Sequence, residues 1–402
     1  MPQGLELQAI TTSGQRRRAM SDRHALLAVA NAARDSSRVS GLTHDFYRYP
    51  ARFSPTFAGQ AIELFSQPDD LVLDPYMGGG TVVVEAARLG RDVVGNDINA
   101  LSHFLASVKT SPLSSGEHGA VARWAVDIIP TLRANIASPR VDELLESERT
   151  RNLSVPRARY LKRIIATALT SITMLPSERA QNFARCAILN AAQGALDGRR
   201  GNTTTAEFRD RLQADVHRML QGVRDYESAI EDVRAADIFL ANADAAHLTD
   251  LPIFASGRRA RLVVTSPPYP GVHVLYHRWQ IDGRRESPAP YWIANRPDGQ
   301  GASYYAFSSR DNVDGYFASA LRTLQGTRAV METGGIIVQL IAFNNPRTQL
   351  RRYLETMIAA GFEEVRWRRN RVWRGVPNRK WHAAVQGHTS SAREVLLVHE
   401  AV

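Results

Sequence analysis

Two short segments of the chain hold residues whose types and spacing bear on chemistry. In the first, Asp74-Pro75-Tyr76-Met77-Gly78-Gly79-Gly80-Thr81, a glycine cluster follows the apolar run Leu71-Val72-Leu73 and precedes a helical pattern over Val82–Leu89. Glycines between a buried strand and a helix let the backbone approach a ligand closely and leave the helix N-terminal N–H groups facing it. The dinucleotide spacing G-x-G-x-x-G is absent here, and no P-loop lysine follows the last glycine. Asp97 ends the next strand, at about the separation from which an acidic side chain reaches a ribose hydroxyl. In the second segment, Thr265-Ser266-Pro267-Pro268-Tyr269-Pro270 follows Leu262-Val263-Val264. Its prolines remove backbone donors and hold the chain extended past the strand end. That exposes the Ser266 hydroxyl and the Pro267 carbonyl as acceptors, with an aromatic ring two residues on. Such a site holds a planar amino group by two hydrogen bonds while Tyr269 stacks on the ring bearing it.

The elements around these segments alternate as a parallel sheet requires. A helix is predicted over Thr56–Phe65, then a turn at Gln67–Asp70, strand Leu71–Leu73, helix Val82–Leu89 and strand Asp92–Gly95. Residues 113–235 break that rhythm, with apolar residues at helical spacing over Glu117–Ile136, Arg157–Met174, Ser177–Leu196 and Thr205–Ala235. The alternation resumes with strands Ile238–Leu240 and Leu262–Thr265, helix Asp314–Met331 capped by Asp311 and Asp314, strand Ile336–Ala342 and helix Gln349–Ala360. Two more strands, Glu364–Arg369 and Glu394–His399, close the chain, and another helix is predicted at Ala25–Ala33. The expected fold is α/β, with an all-helical subdomain inserted. Its divisions are an N-terminal extension (1–40), a cofactor-binding half (41–112), the helical insertion (113–235) and a catalytic half (236–402).

Composition bounds the partners. The 402 residues carry 50 Lys+Arg against 40 Asp+Glu, a formal charge of +10, and are 44% apolar and 22% charged. That is globular composition, which excludes a disordered tail, a collagen-like fibre and a disulfide-stapled mini-protein. Apolar runs such as Gly335–Ala342 are too short to span a bilayer, so no membrane role is expected. No apolar stretch follows Arg16–Arg18, so no secretory signal is expected. The single cysteine, Cys186, excludes a cysteine-clustered zinc site and fits a reducing cytoplasm. Only Lys109, Lys162 and Lys380 are lysines; an arginine excess suits phosphate, because each planar fork grips two oxygens.

The motifs together resemble the S-adenosylmethionine-dependent amino-methyltransferases of DNA. Asp74–Thr81 looks like their cofactor-binding motif, and Ser266–Tyr269 like their catalytic motif in its Ser-Pro-Pro-Tyr form. His44–Phe53 is similar to the stretch that precedes the first motif and touches the methionine part of the cofactor, and Asn242-Ala243-Asp244-Ala245 falls where the family contacts adenine. The resemblance covers about residues 44–110 and 237–402. It implies a Rossmann-like methyltransferase fold with a mostly parallel sheet and an antiparallel strand near the C-terminus. It also implies S-adenosyl-L-methionine as cofactor, held by Tyr49, Asp74, Pro75, Gly78, Gly80, Thr81, Asp97 and Asp244, with Ser266, Pro267, Pro268 and Tyr269 catalytic. The order of motifs assigns residues 113–235 to target recognition. Serine in place of aspartate leans toward N4 of cytosine over N6 of adenine, reached by flipping the base from duplex DNA.

Activated methyl transfer needs no covalent intermediate, and Cys186 in mid-helix reads as a packed residue. A basic, aromatic stretch, Glu363–His382, suggests nucleic-acid contacts through Arg366, Arg368, Arg371, Trp373 and Arg374, with Arg278 near the catalytic segment. His273 and His277 lack a third ligand, so no metal is expected. Arg284–Gly301, rich in Pro and Gly, reads as a loop over the site. The rival functions are N6-adenine methylation, methylation of an exocyclic amine in RNA, and a silent nucleic-acid-binding subunit. DNA is the expected partner, RNA the lesser one, and a cognate restriction endonuclease a possible companion. The oligomeric state is not legible.

Overall fold

The computed structural model describes residues 24–35, 39–49, 54–136, 138–156, 158–198, 203–270, 278–281, 285–298, 312–366, 369–375 and 393–402. Helices α1 (24–32) and α2 (Pro55–Phe65) lead into β1 (Leu71–Asp74), a strand buried at every residue, as parallel strands covered on both faces must be. Then come α3 (Thr81–Arg88), β2 (Asp92–Asn96) and α4 (Ala100–Lys109). The helical stretch comprises α5 (Ser115–Arg123), α6 (Pro139–Glu146), α7 (Arg159–Ser171), α8 (Glu178–Leu196) and α9 (Thr205–Glu231). The chain returns through β3 (Ile238–Ala241), α10 (Pro252–Ala255), β4 (Ala260–Thr265), the hairpin β5 (Trp279–Ile281) and β6 (Arg285–Ser287), and α11 (Ala289–Ala294). It ends in α12 (Val313–Ala329), β7 (Met331–Ala342), α13 (Pro346–Ala359), β8 (Phe362–Glu364), β9 (Val372–Gly375) and β10 (Arg393–Ala401).

The strands lie in the order β3-β2-β1-β4-β7-β10-β8. The first five run parallel; β10 is antiparallel to β7, and its outer edge takes β9 and β8 in succession. This is the Rossmann-like methyltransferase arrangement, with the antiparallel strand where it is expected. The strand order reverses between β1 and β4, the switch point outside which doubly wound sheets bind ligands. α1, α2 and α3 cover one face through Leu26, Phe57, Ile62 and Val83, and α12 and α13 cover the other through Phe317, Leu324, Tyr353 and Met357.

The helical stretch has its own core, in which Phe183, Ile188, Phe208 and Leu212 are buried. Residues from distant parts of the chain complete that core: Phe46, Tyr47 and Tyr49 from before β1, and Trp279, Ile281, Tyr291 and Trp292 from after the catalytic segment. The Trp279 indole donates to Tyr47 Oη at 3.0 Å. Cys186 is buried here, its thiol pushed up to about 12 by burial, which removes it as a nucleophile.

Four local expectations are corrected. The helix expected over Glu117–Ile136 stops at Arg123 and passes through a π turn (Trp124–Ile128) into a 3-10 turn, because Pro130 lacks the N–H that would continue it. Residues 285–294 of the expected loop are a strand and a helix with Tyr291, Trp292 and Ile293 buried, apolar weight that outvotes the surrounding Pro and Gly. Asn312, not Asp314, caps α12, while Asp314 pairs with Arg352; Asp311 lies outside the described residues. The strand expected over Glu364–Arg369 ends at Glu364.

At the start of β2, buried Asp92 accepts from Arg234 at 2.6 Å, Arg258 at 2.7 Å and the Asp237 amide at 2.9 Å. Burial works against its charge, but these donors win and hold the carboxyl down to about 2. A carboxyl depressed in the fold stabilises above its unfolded value and loses that contribution as pH falls through its folded one. Stability should therefore drop between about pH 4 and pH 2, and Arg258→Gln should move that drop upward in an unfolding titration followed by circular dichroism.

Candidate active site

β1 and β4 pair in register, Leu73 beside Val263, so their C-terminal ends bring the two chemically suggestive segments together. The Thr265 hydroxyl donates to Asp74 Oδ1 at 2.7 Å, tying one segment directly to the other. Asp74 also accepts from the Tyr76 amide at 3.1 Å. Its burial raises the carboxyl to about 7 against these two donors, so Asp74 shapes the turn from within.

The glycine turn is bent by backbone conformations that side chains resist, φ +47° at Gly78 and +76° at Gly80. A Cβ at Gly78 would meet the Tyr49 ring at 3.0 Å, and one at Gly80 would meet Ala106 at 3.1 Å. Thr81 starts α3 and is buried, as is Pro75. Asp97 follows β2, accepts from the amides of Gly78 and Asn99 at 2.9 Å each, and is held up to about 6 by desolvation. Asn242 donates to the Asp97 carbonyl at 2.8 Å, which sets the loop after β3 beside it; the Asp244 carboxylate accepts from the Ala246 amide at 2.7 Å in that loop. Tyr49 is buried, its hydroxyl hydrogen-bonded to Ser102 at 2.9 Å. Tyr49, Asp74, Pro75, Gly78, Gly80, Thr81 and Asp97 thus stand around the turn after β1 and the end of β2, with Asp244 in the loop after β3.

The Ser-Pro-Pro-Tyr segment differs in detail from expectation. Ser266 is half-buried, and its hydroxyl donates to the Leu340 carbonyl at 2.9 Å and lies 3.0 Å from the Tyr269 hydroxyl. Pro267 is buried, and the Pro268 carbonyl accepts from Tyr316 at 2.9 Å. Tyr269 is only 4% exposed, in the core with Phe317 and Tyr316, and does not present a free ring face. Its hydroxyl donates to Glu394 Oε1 at 2.7 Å, and Arg374 holds the same carboxylate from the other side at 2.6 Å. Buried Glu394 on β10 needs both donors, which is why the ring turns inward.

The basic stretch is also rearranged. Arg374 is 11% exposed and belongs to the support of Ser266. Arg371 grips Glu364 with two hydrogen bonds of 2.7 Å, Arg366 lies 3.9 Å from the same carboxylate, and Arg278 pairs with Asp298 at 3.0 Å. Trp373 is half-buried under Arg393. Arg368, His273 and His277 lie outside the described residues.

Asn96 and Lys109 also support the turn, though neither belongs to a recognisable motif. Asn96 donates to the carbonyls of Pro75 and Ala243, joining the loops after β1 and β3. Buried Lys109 donates to the carbonyls of Gly79 at 2.6 Å and His44 at 3.2 Å, fixing the glycine turn to the segment before it. A lysine inside the apolar pattern of α4, in a chain with three lysines, was the available clue. Among the described residues no helix is long and apolar enough to cross a membrane, and no cluster of three His, Cys, Asp or Glu residues is placed to hold a metal.

Residues 16–105 match the family model described as DNA methylase, N6/N4 type. The Type II methyltransferase M.MvaI of Kocuria varians is 36% identical over 103 residues, 23% of this chain and 23% of that protein. M1.MboII of Moraxella bovis, also a Type II methyltransferase, is 51% identical over 39 residues, 10% of this chain and 15% of that protein. The chain thus spans less than a quarter of the length of either relative. The residues gathered here fit S-adenosyl-L-methionine in kind: a turn bent at Gly78 and Gly80, an acidic side chain at Asp97, and a polar loop at Asn242–Asp244. Over residues 16–105 the chain is therefore similar to the amino-methyltransferases of DNA that its motifs resemble.

Proposed function

We propose that this protein transfers a methyl group from S-adenosyl-L-methionine to an exocyclic amino group in DNA, the N4 amine of cytosine. The observation that carries the proposal is the Thr265–Asp74 hydrogen bond at the switch point, which sets Ser266 beside the glycine turn. The bound cofactor supplies a methyl group already activated on a sulfonium. The chain's part is to hold the amine in line, which is orientation and preorganised polarity, not base catalysis.

The proton arrangement suits that task. The Tyr269 hydroxyl donates to Glu394, which Arg374 holds from the other side, so the tyrosine oxygen faces Ser266 as an acceptor. The Ser266 proton goes to the Leu340 carbonyl or to Tyr269, and either choice leaves a lone pair of Ser266 for an incoming N–H. Tyr269 thus acts through its hydroxyl as a positioning residue. The methylated amine is acidic and loses its extra proton to water. A base in a duplex reaches such a cleft only when flipped out.

The two relatives named Type II methyltransferases support a restriction-modification setting, in which a cognate endonuclease is the companion. Residues 113–235 are proposed to read the target, since they stand between the two motifs in sequence and share a core with Tyr49 beside the glycine turn.

The test is to incubate the protein with labelled cofactor and unmethylated DNA or bulk RNA, digest to nucleosides and separate them by mass. N4-methylcytosine from DNA is the expected product. N6-methyladenine would overturn the base assignment, label in RNA alone the substrate, and no transfer at all the reaction. A second expectation concerns pH. Since Asp97 sits at about 6, cofactor affinity measured by calorimetry should weaken as pH falls below that value. Asp97→Asn should bind more weakly and flatten the profile; an unchanged profile would remove Asp97 from the cofactor site.

A further inference from the structure

The arginines expected to meet nucleic acid are spoken for: Arg278, Arg371 and Arg374 each hold a carboxylate. Three others are in the opposite condition. Arg149, in the 3-10 turn after α6, donates to the carbonyls of Arg296 at 2.7 Å and Tyr291 at 3.4 Å. Arg185, on α8, donates to the Ile293 carbonyl at 2.9 Å. Arg296, just past α11, stacks over the Phe104 ring at 5.2 Å and donates to the Asn295 carbonyl. Among the described residues none of the three pairs with a carboxylate.

The charges are close enough to repel. Arg185 is pulled down to about 10 by burial, then by Arg296 and by Arg149, and His103 is lowered by burial and by Arg296. Arginine side chains carry a full positive charge in proteins, so three cations meet at this point. Capping α11 does not account for the excess. A helix C-terminus offers roughly half a negative charge at most, and α11 is under two turns long, against three full positive charges. Each guanidinium has five N–H groups, and Arg149 and Arg185 each commit one terminal nitrogen to the helix. The remaining fork is suited to paired anionic oxygens.

The position matters as much as the charge. The Tyr291 hydroxyl donates to Asn99 Oδ1 at 2.9 Å, and the Asn99 amide donates to Asp97. One side of α11 therefore touches the cofactor cleft while its carbonyl end carries the arginines. The Phe104 under Arg296 lies on α4, the helix that Asn99 caps.

We propose that Arg149, Arg185 and Arg296 form a phosphodiester-binding site that grips the nucleic-acid backbone at the junction of the helical layer and the cleft. The inference rests on the methylation reading, and it locates the polyanion on the helical side of the cleft rather than on the C-terminal hairpin. A backbone contact of this kind fixes register without reading sequence.

The test measures affinity of the full chain for a short fluorescent duplex against salt concentration, for the unaltered protein and three variants. Arg296→Gln is chosen because it removes the charge without uncapping α11. Its slope of log affinity against log salt should fall by about 0.9, with affinity down on the order of tenfold on any duplex sequence. Arg296→Lys should keep the slope. Arg259→Gln, exposed at the opposite end of β4, should keep both. Cofactor affinity and melting temperature should be the same in all four proteins. An unchanged slope in Arg296→Gln, or an equal fall in Arg259→Gln, would overturn the site while leaving methylation intact. A parallel loss of cofactor affinity in Arg296→Gln would assign the cluster to the cofactor and overturn it too. An unaltered protein that binds no duplex would overturn the methylation reading together with the site.

Discussion

Ser266→Ala should lower the turnover number for methyl transfer by about two to three orders of magnitude while leaving cofactor affinity unchanged. The hydroxyl stands half-buried at the end of β4, its proton taken by Leu340 or Tyr269, so that its oxygen is an acceptor before substrate arrives. Removing one preorganised polar group aimed at the reacting centre costs far more than removing a general binding contact. The loss should fall on the turnover number, with the Michaelis constant for DNA changed little. Tyr269→Phe keeps the ring in its core position and removes only the hydroxyl that orders Ser266, so it should lose about tenfold. Single-turnover quench kinetics read both values. If Ser266→Ala turns over normally, the amine is held elsewhere and the proposed chemistry is wrong.

Glu394→Ala should be among the most destabilising single substitutions in the chain, by about 3–5 kcal/mol. It strands the Arg374 guanidinium, 11% exposed, without its carboxylate, and leaves the Tyr269 hydroxyl without its strongest acceptor. Glu394→Gln keeps an acceptor of the same shape but loses the charge. It should fold at a smaller cost and still lose activity, because a neutral amide no longer commands the tyrosine proton. Denaturant unfolding gives the first value and transfer assays the second. Equal stability for Glu394→Ala and the unaltered chain would mean that Arg374 finds another partner. Full activity in Glu394→Gln would confine this pair to holding β9 against β10.

The parts legible in the sequence were those set by local rules. Continuous apolar runs marked β1, β4 and β7, and glycine and proline punctuation marked the two turns at their ends. What sequence could not supply was compensation across the chain. Glu394 reads as the first polar residue of a strand, yet its meaning lies in Tyr269, 125 residues away. The arginines of the C-terminal stretch look free because Arg374 meets Glu394 across the β9–β10 pair, and Arg371 meets Glu364 where β8 and β9 both line β10. Arg149 and Arg185 gave no signal because their shared target is a set of main-chain carbonyls on α11. Pro and Gly content also misjudged residues 285–294, where burial against α8 decides the conformation.

The core of the helical layer is completed by separated stretches of chain, Tyr47 and Tyr49 from before β1 and Trp279, Tyr291 and Trp292 from after β4. If the helical stretch reads the target as proposed, this limits how specificity can change over evolutionary time. A recombination event that exchanged only residues 115–231 between relatives would import helices whose partners stayed behind in the host. Tyr47 would face a foreign Trp279 environment, and Arg149 and Arg185 would arrive without their carbonyls. A transferable recognition unit must therefore carry residues 279–296 with it, or change by point substitution on the outer faces of the helices. Inheritance of specificity in this architecture follows the buried contact map, not the linear boundary between the two motifs.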